Sequence, residues 1–296
     1  MRSATISALG FQVRCTDSEA SQAVAEVFSG RQGSGRCFFE AGDEPWPDLP
    51  REVRWELELG PRAHWGEPIP YDFRFHGDLG RYTSESDLWR CEVSWPHEGE
   101  PAEVRTRLTR PAQQPDPVAA WRWAFRSALR AVSALLLPSA QSLLVHGCAM
   151  VAPGAPREAI LFVGPSGAGK STMADRLPGW RCLADDTLVV GFDSAGEPWV
   201  CGSVFPGKER RLCWGQPHRL GELFFLEPGA PNLSLEPLDE AEALSRLTRA
   251  VFFPASGGPA GAQVINLAHR LVLALRSRTL RSNLGHDVAA ALEGLP

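Results

Sequence analysis

The sequence predicts an α/β domain over residues 116–296, preceded by a smaller, β-rich α+β domain over residues 1–115. Three observations carry that reading. From residue 142 onward, strand and helix signals alternate, which favours a mixed α/β layer architecture. An apolar run at 159–163 leads into Gly164-Pro165-Ser166-Gly167-Ala168-Gly169-Lys170-Ser171 and then a short helical stretch at 172–177, a strand–loop–helix unit. The first 115 residues instead carry short alternating segments between Gly/Pro turns, and tryptophan is concentrated there (Trp46, Trp55, Trp65, Trp89, Trp95).

In chain order, residues 18–27 read as a helix, with Val24 and Val27 on one side. Segments 53–59, 71–75, 89–95 and 104–108 alternate as strands of a small antiparallel sheet, broken by turns such as Gly60-Pro61 and Gly66-Glu67-Pro68. Residues 111–117 read as a linker. Asp116-Pro117 then supplies an N-cap and a first-turn proline for a helix ending near Pro138, whose Trp121, Phe125, Leu129, Val132 and Leu136 form a core stripe. Strands follow at 142–151 and 159–163, and a hairpin at 187–192 and 198–202 turns over Asp193-Ser194-Ala195-Gly196. A strand at 222–226, a helix at 239–248, a strand at 271–275 and a closing helix at 286–292 complete the pattern.

Composition narrows the partners. With 296 residues, a net charge of −5 and no basic stripe visible along the chain, nucleic acid is not the expected partner. Seven cysteines (15, 37, 91, 148, 182, 201, 213) are scattered and odd in number, never spaced Cys-x-x-Cys, as expected of reduced thiols in a cytoplasmic protein. The histidines (His64, His76, His97, His146, His218, His269, His286) show no zinc spacing. The apolar run 131–137 is too short to span a bilayer, so no membrane is expected; self-association is left open.

The octet fits G-x-x-x-x-G-K-[ST], a phosphate-binding loop. Its glycines let backbone N–H groups point at phosphate oxygens. Residues Gly164 to Thr172 are therefore the expected nucleotide cradle, with Lys170 reaching the β/γ-phosphates of ATP and the Ser171 hydroxyl ligating Mg²⁺. Fifteen residues beyond Lys170 stands Asp185-Asp186. One carboxylate can complete the Mg²⁺ shell while the other takes the proton of an attacking hydroxyl; the alternative is a solvated pair capping a turn. His146 lies one strand upstream, and a lone strand histidine is ordinarily a core residue. Only two lysines, Lys170 and Lys208, stand against twenty-eight arginines, so lysine survives where a compact ammonium is needed. That logic makes Lys208 a candidate phosphate or substrate contact. Arg210 and Arg211 beside it can clamp an oxyanion or line a solvated loop, and Arg276, Arg278 and Arg281 read as a charged face.

Taken together, Val145-His146-Gly147, the loop through Thr172, Leu183-Ala184-Asp185-Asp186, Phe205-Pro206-Gly207-Lys208, Leu220-Gly221-Glu222-Leu223-Phe224-Phe225-Leu226 and Pro237-Leu238 resemble the HPr kinase/phosphorylase-like family. The nucleotide domain of that family is similar to phosphoenolpyruvate carboxykinase. The resemblance covers roughly residues 140–295 and implies a P-loop kinase domain of that type. It further implies Mg-ATP-dependent phosphorylation of a serine or threonine hydroxyl on a protein or peptide. By position, Ser171 and Asp185 would serve the metal, Asp186 would be the base and His146 would position it; the two aspartates can exchange roles. The chain departs from the bacterial HPr enzymes: their Glu-Ile-Arg-Gly signature is replaced by residues 199–211, which puts phosphorolysis and HPr itself in doubt. The N-terminal half resembles, in texture, the β-rich leader of HPr-kinase-related proteins, a substrate-recognition element by implication. A small-metabolite kinase and a non-catalytic, nucleotide-dependent regulatory module are the competing readings. An ABC-type ATPase is set aside, because no Leu-Ser-Gly-Gly-Gln-like segment occurs.

Overall fold

A computed structural model describes residues 2–6, 9–15, 22, 27, 51–60, 74–78, 81–86, 89–94, 102–109, 117–153, 158–203, 205, 217–253, 258–283 and 285–293. The chain divides into two units. One comprises Met1–Ala140 and Phe253–Gly261; the other comprises Gln141–Phe252 and Ala262–Pro296. The helix after residue 116 thus groups with the N-terminal strands, and the division falls at 140/141 rather than at the expected 115/116. Most of the expected helix 18–27 and the linker through residue 116 lie outside the described residues.

The first unit holds one seven-stranded sheet made of β1 (Arg2–Ile6), β2 (Leu9–Cys15), β3 (Arg51–Gly60), β4 (Arg74–Asp78), β5 (Arg81–Ser86), β6 (Trp89–Ser94) and β7 (Ala102–Thr109). Their order is β1-β2-β3-β7-β6-β5-β4. The sheet is mixed rather than wholly antiparallel, because β2 pairs with β3, and β3 with β7, in parallel. Helix α1 (Pro117–Leu136) packs against β6 and β7. Period-2 alternation sends Trp89, Cys91 and Val93 of β6 and Val104, Thr106 and Leu108 of β7 to the buried face. Trp55 meets Phe125 of α1 with ring centroids 5.2 Å apart, and the Trp89 indole N–H donates to Ser127 Oγ at 3.1 Å. Trp55 donates to Thr106 Oγ1 at 2.9 Å, so both buried indoles keep a partner.

The second unit is built on β8 (Ser142–Val151), β9 (Glu158–Val163), β10 (Arg181–Ala184), β11 (Thr187–Phe192), β12 (Pro198–Gly202), β13 (His218–Pro228), β14 (Ser234–Pro237) and β15 (Arg276–Ser282). Strand pairing closes on itself through β8-β11-β12-β13-β9 and back to β8. β10 extends from β8, and β15 and β14 extend from β13. Short helix α2 (Lys170–Arg176) follows β9. Its Met173 and Ala174, with Leu177 just beyond, enter a core containing Cys148, Met150, Phe162, Phe224, Leu226 and Leu280. Phe162 and Phe224 stack there at 5.7 Å. Helix α3 (Glu240–Ala250) starts on Asp239, whose carboxylate accepts from Ala241 N and Glu242 N, an N-cap contributing about 1 kcal/mol.

The expected strand at 271–275 is instead the end of α4 (Gly258–Ala274), and the strand β15 follows it. Buried Val264, Leu267, Ala268, Leu271 and Val272 recur at helical spacing, so the apolar cluster is one helix face. The closing helix is α5 (Val288–Glu293). Among the described residues no helix is long and apolar enough to cross a membrane.

Cys91 and Cys201 are wholly buried thiols, each pushed up to about 12 by loss of solvent, with Thr106 pulling Cys91 back in part. At pH 8 each therefore keeps only about one part in ten thousand as the reactive thiolate. Iodoacetamide on the native protein at pH 8 should leave both unmodified, and mass spectrometry should find them alkylated only after denaturant is added.

Candidate functional site

The loop is held from both ends. Buried β9 delivers the chain to Gly164, and the apolar face of α2 pins the far side into the core. Between them Gly167 and Gly169 adopt φ of 83° and 93°, left-handed values that a side chain resists. Ala168 N donates to Pro165 O at 3.1 Å and tightens the turn. Lys170 folds back into its own loop, where its ammonium donates to Gly164 O at 2.7 Å and Pro165 O at 2.8 Å. The side chain is buried, and that burial pulls its pKa down, while Asp186 and Cys148 push it back up. Ser171 and Thr172 occupy the first turn of α2.

Asp185 and Asp186 interrupt one edge of the sheet. β10 and β11 both pair with β8 on the same side, β10 against Ala149–Val151 and β11 from His146 back to Ser142. The two aspartates fill the break between them, directly after a register shift between Cys182 and Ala184. Asp185 is 2% exposed, whereas the Asp186 side chain is about 30% exposed. The pair is thus divided by environment into an inner and an outer carboxylate. The Cys148 thiol is raised by its hydrogen bond with Cys182, by burial and by Asp185, and lowered by Lys170. Asp185 and the loop lysine therefore act on one and the same buried thiol.

Gly147, His146 and Thr187 all hold Asp186. Its backbone oxygen accepts from Gly147 N at 3.0 Å. His146 Nδ1 lies 2.8 Å from that same oxygen and 3.4 Å from Asp186 Oδ1. A carbonyl only accepts, so Nδ1 carries the hydrogen, and in the neutral ring Nε2 becomes the acceptor. The Thr187 hydroxyl donates to Asp186 Oδ2 at 2.8 Å and is itself wholly buried. Ser203 Oγ in turn donates to Thr187 O at 2.6 Å. The edge of the Phe252 ring rests against the His146 imidazole, with centroids 6.0 Å apart.

Gly147 joins the two halves of the site. On one side it pairs with Val163, the last residue before the loop; on the other its N–H holds Asp186 O. A Cβ here would come within 3.0 Å of Phe162 O and of Leu161 Cδ1. The close approach of β8 to its neighbours therefore leaves little room for a side chain.

No protein-family model and no curated protein matches the chain.

The sequence-based candidates Lys170, Asp185, Asp186 and His146 lie around this one strand residue. Lys208, Arg210 and Arg211 lie outside the described residues. Arg276 and Arg278 face Glu222 at 3.8 and 3.7 Å, and Arg281 pairs with Glu227 and Glu236, each at 2.8 Å. Among the described residues no group of three His, Cys, Asp or Glu gathers as a metal cage. Mg²⁺ needs none: it takes one or two hard protein oxygens and fills its shell with phosphate and water. Asp185 and Ser171 carry oxygens of that kind.

Sequence reading missed Thr187, Ser203 and Phe252. Thr187 reads as an ordinary β-branched strand residue, and only its register opposite His146 turns its hydroxyl to Asp186. Replacing Thr187 by Val should cost about 1 kcal/mol by leaving Asp186 Oδ2 without this donor. Thr187→Ser should retain most of that stability. Urea denaturation of both variants measures the difference.

Proposed function

We propose that this chain is a Mg-ATP-dependent kinase that transfers the γ-phosphate to a serine or threonine hydroxyl of a protein or peptide. The observation that carries the reading is the gathering of a loop lysine, an inner carboxylate and an outer, histidine-held carboxylate around Gly147. The order histidine, phosphate loop, double aspartate supports the HPr kinase/phosphorylase-like resemblance and a kinase domain of that type. The buried free thiols Cys91, Cys148, Cys182 and Cys201 support a reducing, cytoplasmic setting.

Each residue has a task that its surroundings favour. Lys170 exchanges the carbonyls of Gly164 and Pro165 for β/γ-phosphate oxygens, and backbone N–H groups of the loop hold the same phosphates. Ser171 and Asp185 would hold the metal ion, which would neutralise the charge developing on the transferring phosphoryl group. Asp186, the outer, partly exposed carboxylate, accepts the hydroxyl proton at Oδ1 while Thr187 fixes Oδ2. As that proton leaves, the hydroxyl oxygen bonds the γ-phosphorus and the bond to the β-phosphate oxygen breaks. His146 is a positioning residue, since it grips the backbone of Asp186 and lies beside its carboxylate.

The test is labelled transfer from γ-phosphate-labelled ATP into proteins or peptides of the native cell. Asp186→Ala should lower transfer by at least about 10²-fold, the ordinary share of a general base, while nucleotide binding persists. Unchanged transfer would reject Asp186 as the base. Tight ATP binding with no transfer to any acceptor would favour the regulatory module, and label entering only small metabolites would replace the protein substrate.

A further inference from the structure

The Asp186 carboxylate needs a neighbour to aim it. The terminal torsion of an aspartate is broad and roughly two-fold, so the group turns easily unless one oxygen is held. The Thr187 hydroxyl holds Oδ2 by donating to it at 2.8 Å. A β-branched side chain is stiff at its first torsion, and Thr187 is wholly buried, so its hydroxyl follows its main chain. Whatever fixes the main chain of Thr187 therefore aims the carboxylate.

On the β8 side, that main chain is fixed by the sheet: Thr187 stands opposite His146, and Asp186 O accepts from Gly147 N at 3.0 Å. On the β12 side, the register of β11 with β12 begins at Leu188 opposite Gly202, so Thr187 and Ser203 stand just beyond it. There the Ser203 hydroxyl donates to Thr187 O at 2.6 Å. Phe205 N donates to the same hydroxyl oxygen at 3.2 Å, a local bond of the kind serine makes in turns. A hydroxyl has one hydrogen to give, and Ser203 gives it to Thr187. Ser203 and Phe205 are both buried, which shields the bond from water.

We propose that Ser203 is a positioning residue for Asp186, acting through the main chain and hydroxyl of Thr187. The hold is a side chain at the point where the paired register of β11 and β12 ends, so one substitution removes it and leaves the ladder intact. Ser203→Ala takes this donor from Thr187 O in a buried setting, loosens the start of β11 and lets Oδ2 turn away. Oδ1, the oxygen beside His146, then loses its aim at the acceptor hydroxyl. The effect on rate rests on the kinase reading; the hold on Asp186 does not.

The test reads both rate and hold on the full chain. Initial rates of label transfer from γ-phosphate-labelled Mg-ATP into a peptide extract of the native cell are taken against ATP concentration. Ser203→Ala should lower the maximal rate by about tenfold and leave the KM for ATP unchanged, because orientation is lost and binding is not. Ser203→Thr, which keeps the hydroxyl, should restore most of the rate. In a Thr187→Val background Ser203→Ala should slow transfer little further, since the hydroxyl it aims is gone, while its cost in urea denaturation persists. Without nucleotide, Ser203→Ala should speed amide exchange at Gly147, whose N–H is held by Asp186 O. The proposal fails if Ser203→Ala transfers at the wild-type rate, if its rate loss multiplies in full with that of Thr187→Val, or if Gly147 exchanges no faster. A wild-type chain that transfers no phosphate overturns the kinase reading, and exchange at Gly147 alone then decides whether Ser203 holds Asp186.

Discussion

The whole site depends on the two-sided backbone pairing of Gly147. β8 is shared in an unusual way: its first half pairs with β11, its second half pairs with β10, and its other edge pairs with β9. Gly147 sits where these allegiances change. Its contact to Val163 sets where β9 ends and the loop begins, and its N–H to Asp186 sets where the aspartates project. A shift of β8 by one residue would turn His146 to the opposite face and part the histidine from the carboxylate. Loop and aspartates are thus placed relative to each other by main-chain hydrogen bonds, the least variable contacts a sheet has.

The environment then differentiates chemically identical groups. Asp185 and Asp186 are neighbours in sequence, yet the break between β10 and β11 puts one inside and one at the surface. The buried one shares its surroundings with Lys170 and the Cys148–Cys182 thiols; the outer one sits between an imidazole and a hydroxyl. Such a division lets one carboxylate serve a cation while its neighbour stays available to a proton.

How much of this was legible in the sequence follows from how local each feature is. The loop and the double aspartate are each written within a few residues, so their spacing alone announces them. The His146–Asp186 contact spans forty residues and requires the register of β8 against β11, which no local pattern encodes. The closed ring of strands and the parallel pairing of β3 with β2 and β7 are equally non-local. Helix α4 was overlooked for a different reason: its glycine-rich start, Gly258-Pro259-Ala260-Gly261, reads as a breaker, and the short apolar run at 271–275 looks like a strand when isolated from the periodic residues before it.

The burial of Lys170 has a practical consequence for amine chemistry. The chain has only two lysines, and Lys170 is inserted into its own loop against two carbonyl oxygens. Acylating reagents that decorate the surface of an ordinary protein thus find very few targets here. Reaction at Lys170 requires the ammonium to leave Gly164 and Pro165 and lose its proton. The extent of acylation at that one side chain becomes a direct gauge of how often the loop opens.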